Sequence, residues 1–277
     1  MAVALASFQN TTSDGTSLVL TKPVSLAVGD LMVAGIFVAN QSANTSSLDT
    51  PAGWTLQEAV EANTQFELGV YLKTATAEDV AAANFTFTST NNGGYHMSGY
   101  LTRVTDPGIV AGESSAANLG TNNVTLSTFT PSRSNTLFLA FAASVDTSIP
   151  TISGVALATN NPSWTTQATQ TFNDSDFDSR FTFFSASRSE ATATGNITIT
   201  TTAGASNLRN HGIVISLSAS AGGSVTPTTK VNIYAFNPYN PTATLDISIE
   251  TLNNRISNPA IWTPDVKTAT TWTPKLK

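Results

Sequence analysis

The pattern of this chain occurs twice. Val124, Leu126, Leu137 and Leu139 stand 106 residues after Leu18, Leu20, Leu31 and Val33. Trp164-Thr165 follows Trp54-Thr55 by 110, and Phe183-Phe184 and Glu190 follow Tyr71-Leu72 and Glu78 by 112. Asn196-Ile197-Thr198-Ile199-Thr200 follows Asn84-Phe85-Thr86-Phe87-Thr88, also by 112, and Gly212-Ile213-Val214 follows Gly99-Tyr100-Leu101 by 113. The offset slips only between apolar runs, where loops tolerate insertion. Five matches in order read as a degenerate internal duplication of residues 1–107 and 108–219. Whatever the first half folds into, the second half is expected to fold into as well.

Each half reads as short strands. Leu31 to Val38 is apolar almost throughout and starts at Gly29-Asp30, the pattern of a strand buried on both faces. Phe66, Leu68, Val70 and Leu72 alternate along another strand, and Phe85 and Phe87 alternate with Thr86 and Thr88 along a third. Turn residues cluster at Thr12–Gly15, Pro51–Trp54 and Asn91–Gly94. Charged residues make up 11% of the chain, under half of the usual about 25%, and Ser, Thr, Asn and Gly fill the difference. No long segment holds a helical period, and residues 76–83 read as a loop or short helical turn. The predicted fold is all-β: two related antiparallel β-sandwich (jelly-roll-like) lobes forming a compact pair with a large mutual interface.

The remainder has a different texture. Residues 220–230 are a Ser/Gly/Thr/Pro linker, and residues 231–257 read as a C-terminal hairpin around Asn237-Pro238-Tyr239-Asn240-Pro241. Residues 258–277 form a tail in which Trp262-Thr263-Pro264 recurs ten residues later as Trp272-Thr273-Pro274. Trp buries much area with few rotatable bonds. Trp262, Pro264, Trp272 and Pro274 are therefore expected to dock a partner.

Chemistry is sparse. A net charge of −6 without a Lys/Arg run argues against nucleic acid. No basic amphipathic helix or apolar run of roughly 20 residues argues for a membrane, and the short apolar start lacks the charged n-region of a signal peptide. With no cysteine, thiolate metal sites and Cys nucleophiles are impossible. Asp174, Asp176 and Asp178 alternate like calcium ligands. But Ser179 stands where such a loop needs Gly, and Ser185 where it needs Glu, so a solvated hairpin tip is expected. His96 and His211 have no clustered carboxylate and are assigned to edges or loops rather than zinc. No G-x-S-x-G elbow is present. Nothing in the spacing of Glu58, Glu61, Glu67, Glu78, Asp79 and Glu113 picks out a glycosidase pair. No catalytic residue, metal or cofactor is expected. Trp54 and Trp164, with Leu31 and Leu137, are assigned to the core as plugs and strand anchors.

GDLMVAGI, PAGWT, VYLKTATAED, FTFTS and GYLTRVTD together resemble a β-sandwich repeat of tailed-bacteriophage virion proteins, over residues 17–219. The paired WTP tail is similar to short Trp-Thr tails on phage minor structural proteins. The second half departs from the pattern: Ser163 replaces the corner Gly, and no Gly-Asp precedes Leu137. The resemblance implies a non-enzymatic capsid decoration or head-fibre protein. It would be assembled in the host cytoplasm, carried in the virion, homo-oligomeric, and bound to other capsid or tail proteins through its C-terminus. The alternative it implies is a tail-fibre or spike module that binds a host-surface glycan.

Overall fold

The computed structural model describes residues 3–40, 47–62, 66–90, 95–105, 108–119, 123–173, 178–202 and 209–219. The chain divides into two compact units, Met1–Gly222 and Gly223–Lys277. Everything described belongs to the first. The expected linker, hairpin and docking tail, with Trp262, Pro264, Trp272 and Pro274, lie outside the described residues.

The unit is almost entirely strand. Its first half holds β1 (Ala4–Ser13), β2 (Ser17–Thr21), β3 (Leu31–Asn40), β4 (Ser47–Leu48), β5 (Thr55–Ala62), β6 (Phe66–Thr74), β7 (Asn84–Thr90) and β8 (Tyr95–Thr105). One helical turn, α1 (Ala77–Ala81), interrupts it. The second half holds β9 (Gly108–Leu119), β10 (Val124–Leu126), β11 (Thr136–Asp146), β12 (Thr151–Leu157), β13 (Thr165–Asn173), β14 (Asp178–Arg188), β15 (Ile197–Thr202) and β16 (Arg209–Ala219).

The two halves have the same topology. A five-stranded sheet ordered β1-β8-β3-β6-β5 and a three-stranded sheet β2-β7-β4 make one lobe. The sheets β9-β16-β11-β14-β13 and β10-β15-β12 make the other, strand for strand. All pairs are antiparallel. This is the strand order of an eight-stranded jelly roll in which the fifth strand has joined the larger sheet. Irregularities recur as well. β1 bulges between Leu5 and Ser7, and β9 between Val110 and Gly112. β5 bulges between Leu56 and Glu58, and β13 between Thr166 and Ala168.

Burial explains why the central strands are so apolar. Along β3, Met32, Ala34, Ile36 and Val38 enter the core between the two sheets of their own lobe. Leu31, Val33, Phe37 and Ala39 enter a second core, shared with Leu137, Leu139, Phe141 and Ala143 of β11. The two five-stranded sheets therefore pack face to face, and the unit is a four-layer stack with three apolar layers. A fully buried Leu, Ile or Phe contributes roughly 1.5–3 kcal/mol, so a strand buried on both faces is built from little else. Trp54 is buried in the first lobe's own core, edge-on to Phe85 and Phe87 at 5.9 and 5.2 Å. Leu31 and Leu137 both lie in the shared layer.

At the centre of that layer each lobe meets its own counterpart. Gly35 and Phe141 occupy equivalent places in β3 and β11, and they touch: a Cβ on Gly35 would lie 2.2 Å from Phe141 Cδ1. Two residues on, Phe37 lies 5.9 Å from both Phe181 and His211. Those two residues flank Ala143 in the register of β11 with β14 and β16. Large thus meets small across a pseudo-two-fold, twice.

Registers also correct the sequence alignment at one strand. β3 pairs Val33 with Leu72, whereas β11 pairs Leu139 with Ser185. Phe184 is thus the counterpart of Tyr71, and Phe183 of Val70, an offset of 113 rather than 112. The cores agree: Tyr71 and Phe184 face their own lobes, Val70 and Phe183 the shared layer. A one-residue slip in a strand exchanges its faces, and where both faces are apolar the sequence alone does not reveal it.

Both departures of the second lobe have a physical account. Gly29 takes φ +92°, and Asn135, its counterpart, takes φ +56°; Asn tolerates this region better than most residues. Asp30 closes the first turn by accepting the Ala27 amide at 2.8 Å. Thr136 closes the second by donating its hydroxyl to the Arg133 carbonyl at 2.8 Å. Gly53 takes φ +78°, but in the second lobe the left-handed residue is Asn160, at φ +48°. The corner is rebuilt there. Asn161 Oδ1 accepts the Leu157 amide at 2.9 Å and the Trp164 indole at 3.2 Å, and Trp164 stays half-buried against its core.

Candidate functional site

The strongest chemical constellation is one the sequence does not bring together. Asp14 follows β1, while His96 and Ser98 sit two apart on one face of β8. His96 Nε2 lies 2.7 Å from Ser98 Oγ, and its Nδ1 lies 3.6 Å from Asp14 Oδ1. The order carboxylate, imidazole, hydroxyl is that of a serine hydrolase triad. Its surroundings are not. Ser98 pairs with Phe37 on one side and Thr12 on the other, and its exposure is 2%. Phe172 of the second lobe stacks on the imidazole at 3.7 Å, closing the remaining face. At 3.6 Å the Asp14 contact is an ion-pair distance, longer than a hydrogen bond. Burial pushes the His96 pKa down to about 4, against the pull of Asp14, so the ring is a weak base at neutral pH. The arrangement holds a neutral imidazole at the junction of the lobes.

His211 has a reciprocal setting. It is fully buried on β16, facing the shared layer, with Phe37 at 5.9 Å and Phe66 at 6.4 Å. Burial lowers its pKa to about 4; the Phe66 backbone raises it and Arg209 lowers it further. Neither ring nitrogen has a hydrogen bond of normal geometry. Both histidines were expected at edges or loops. They lie instead in the shared core, each against aromatic rings of the opposite lobe, because their strands are buried on both faces.

A second group sits at the end of the first lobe. Glu67 is on β6 and only 6% exposed, and its Oε2 accepts the Leu48 amide at 2.7 Å. Burial raises its pKa to about 7; the Leu48 amide opposes this, and Glu61 and Asp49 add to it. The nearby Tyr71 hydroxyl is buried without a hydrogen-bond partner, and burial followed by Glu67 raises its pKa. The signal was present: in Phe66-Glu67-Leu68-Gly69-Val70-Tyr71 an acid occupies a strand with an apolar layer on each side.

The other acids are tied into local structure. Glu58 accepts the Ser115 hydroxyl and Glu113 accepts the Gln57 amide, so that β5 and β9 are joined at the seam between lobes. Asp79 caps α1, with its carboxylate 2.9 Å from the Thr76 amide. Burial alone would raise its pKa, but Lys73 at 2.6 Å and Thr76 hold it below the usual carboxylate value. Arg103 Nε lies 2.6 Å from Asp30 Oδ2. Of the alternating acids, Asp178 is buried at the start of β14, and Asp174 and Asp176 lie outside the described residues.

Among the described residues no three His, Asp or Glu gather as a metal site would require, and no helix is long and apolar enough to cross a membrane. No protein-family model, curated protein or solved structure matches the chain.

Proposed function

We propose that the chain is a non-enzymatic structural protein of a bacteriophage virion, a capsid decoration or head-fibre subunit anchored through its C-terminal segment. The observation that supports this most is the shared core. Two jelly-roll lobes fused through one apolar layer make a rigid block, and hydrogen bonds of Glu58 and Glu113 tie β5 to β9 at its seam. Its outward sheet faces carry rows of uncharged hydroxyls, Thr86, Thr88 and Thr90 on β7 and Thr200 and Thr202 at the end of β15. Such a body suits display on a particle. The paired Trp-Thr-Pro tail supplies the contrasting apolar anchor.

The glycan-binding alternative rests on aromatic platforms. Trp54 is closed under Phe85 and Phe87, and the Trp164 indole N–H is held by Asn161. The body therefore gives that reading less support than it gives a structural one.

The test uses particles of the phage that carries the gene. Antibody raised against the body should label purified virions at a fixed position, and deletion of residues 258–277 should leave a soluble, folded protein that is no longer incorporated. Particles without the protein would refute the virion reading. Normal incorporation of the truncated chain would refute the anchor.

A further inference from the structure

The end of the first lobe is covered by its shortest strand. β4 has two residues. Ser47 pairs with Thr90 and Leu48 with Ser89 of β7. The Asp49 amide donates to the Thr88 carbonyl at 2.9 Å, and the Thr88 hydroxyl donates to Asp49 Oδ2 at 2.8 Å. The Leu48 side chain is buried in the lobe's own core with Trp54, Tyr71 and Phe87. β6 lies beneath. Its Phe66, Leu68 and Val70 enter the shared layer, so by alternation Glu67, Gly69 and Tyr71 enter the lobe's own core. A Cβ on Gly69 would lie 3.2 Å from Leu48 Cδ1. Glu67 thus meets β4 from below, and its Oε2 accepts the Leu48 amide at 2.7 Å.

The charges that face Glu67 are negative. Glu61 is its direct cross-strand neighbour in β5, a pairing that is unfavourable between like charges, and Asp49 follows β4. β2, β3, β4 and β7 contain no charged residue, and neither do positions 41–46, 63–65 and 91–94 of the sequence. The cations of the neighbouring strands are engaged elsewhere: Arg103 of β8 with Asp30, and Lys73 of β6 with Asp79. His96 of β8 lies in the shared layer against Phe172.

We propose that β4 is a pH-sensitive latch on the first lobe, shut while Glu67 is protonated and opened by its ionisation. A neutral carboxyl sits under β4 at little cost. An ionised one is held out of water and beside Glu61 and Asp49, with the Leu48 amide as compensation. Burial is the largest of these effects, and it leaves the pKa at about 7. Lifting β4 returns the carboxylate to water and carries Asp49 away from it. The open form therefore has an ordinary carboxyl, and each step in pH above the ordinary value shifts the equilibrium towards it until Glu67 is ionised in both forms. Opening also gives water to the Tyr71 hydroxyl, which is buried without a partner when β4 is in place. This inference does not depend on the virion reading, since it concerns only the described body.

The experiment is amide hydrogen exchange on the full chain, followed residue by residue by NMR from pH 5 to 8 and corrected for the intrinsic rate. The Leu48 and Asp49 amides should be protected at pH 5. A shut-state pKa of about 7 against an ordinary 4.5 predicts a loss of that protection by up to about 70-fold at pH 8. The Asp49 amide is the cleaner reporter, because the Thr88 carbonyl that it bonds does not titrate. Low urea should leave both rates unchanged while it speeds Gly35 in β3, since opening a latch exposes little surface and global unfolding exposes much. Glu67→Gln keeps an acceptor for Leu48 and removes the charge, so both amides should hold their pH 5 protection throughout. Glu58→Gln, which removes an acid tied across the seam, should leave the wild-type pH dependence in place. Amides unprotected at pH 5, or protection that does not fall with pH, overturn the proposal. So does a fall that persists in Glu67→Gln, one lost equally in Glu58→Gln, or rates that follow Gly35 in urea.

Discussion

Gly35→Ala offers a test in which two physical arguments predict opposite signs. Judged by propensity, Gly inside a strand costs roughly 0.5–1 kcal/mol relative to Ala, so the substitution should stabilise. Judged by the shared core, it should do the reverse. The new Cβ would lie 2.2, 2.5 and 2.8 Å from Cδ1, Cε1 and Cγ of Phe141. Carbon atoms in contact sit about 3.5–4.0 Å apart, so the ring would have to retreat by more than 1 Å. It has nowhere to go, because Phe141 is fully buried and stacks on Phe183 at 5.0 Å with planes 10° apart. Overpacking of this kind costs about 1–3 kcal/mol. For a body of this size that lowers the melting temperature by roughly 2–10 °C. Phe141→Leu alone should also destabilise, by loss of buried area. The double variant Gly35→Ala/Phe141→Leu should be more stable than the sum of the two predicts, with a coupling of about 1–2 kcal/mol. Thermal and urea unfolding of the four proteins closes the cycle. A stabilising Gly35→Ala, or additive singles, would refute the knob-in-hole account of how the lobes meet.

The buried histidines set a second test. His96 and His211 have native pKa values near 4 against about 6.5 unfolded. The unfolded chain therefore takes up protons first, and stability falls as pH drops from about 6.5 to 4, by up to about 3 kcal/mol per histidine. His211→Leu should flatten that acid limb in urea melts read from pH 7.5 to 4, and an unchanged slope would count against the burial argument. Glu67 works in the opposite direction. Its native pKa near 7 exceeds the ordinary value of 4.5, so it costs stability as pH rises from about 4.5 to 7. Glu67→Gln should stabilise at pH 8 by up to about 3 kcal/mol and make little difference at pH 4. Stabilisation of equal size at both ends would point away from ionisation. Finally, Trp54→Ala should cost about 3–5 kcal/mol and half-buried Trp164→Ala clearly less; equal losses would contradict the rebuilt second corner.

Much of this architecture is written locally. The alternation of Phe85 and Phe87 with threonines, and the apolar run after Gly29-Asp30, name their strands and even the number of faces each buries. The repeat is legible for the same reason, since apolar positions recur wherever a core recurs. What escaped is whatever depends on the second apolar layer. In the sequence Phe183 aligns one residue off, because a strand buried on both faces carries no polar side to fix its register. The histidines read as edge or loop residues because nothing near them in sequence announces Phe172 or Phe37, each of which belongs to the lobe opposite. Asp14, His96 and Ser98 come together only through the pairing of β1 with β8.

The lobes differ in side chains where they touch. Strand order repeats, as do the bulges of β1 and β9 and of β5 and β13, so the two lobes share one topology. Side chains at equivalent contact positions do not repeat. Gly35 faces Phe141, and Phe37 lies over Ala143. At one seam Gln57 and Glu58 bond to Glu113 and Ser115. At the other, the counterparts Ala168 and Phe8 pack on the apolar core, with Phe172 beside them. Two copies of the first lobe, placed in the same geometry, would leave a hole at Gly35 and drive Phe37 against its own image. Two copies of the second would drive Phe141 against itself. Each lobe is thus shaped to the other and not to a copy of itself, which commits the shared layer to a contact within one chain. Association between chains is then left to surfaces that the shared layer does not use.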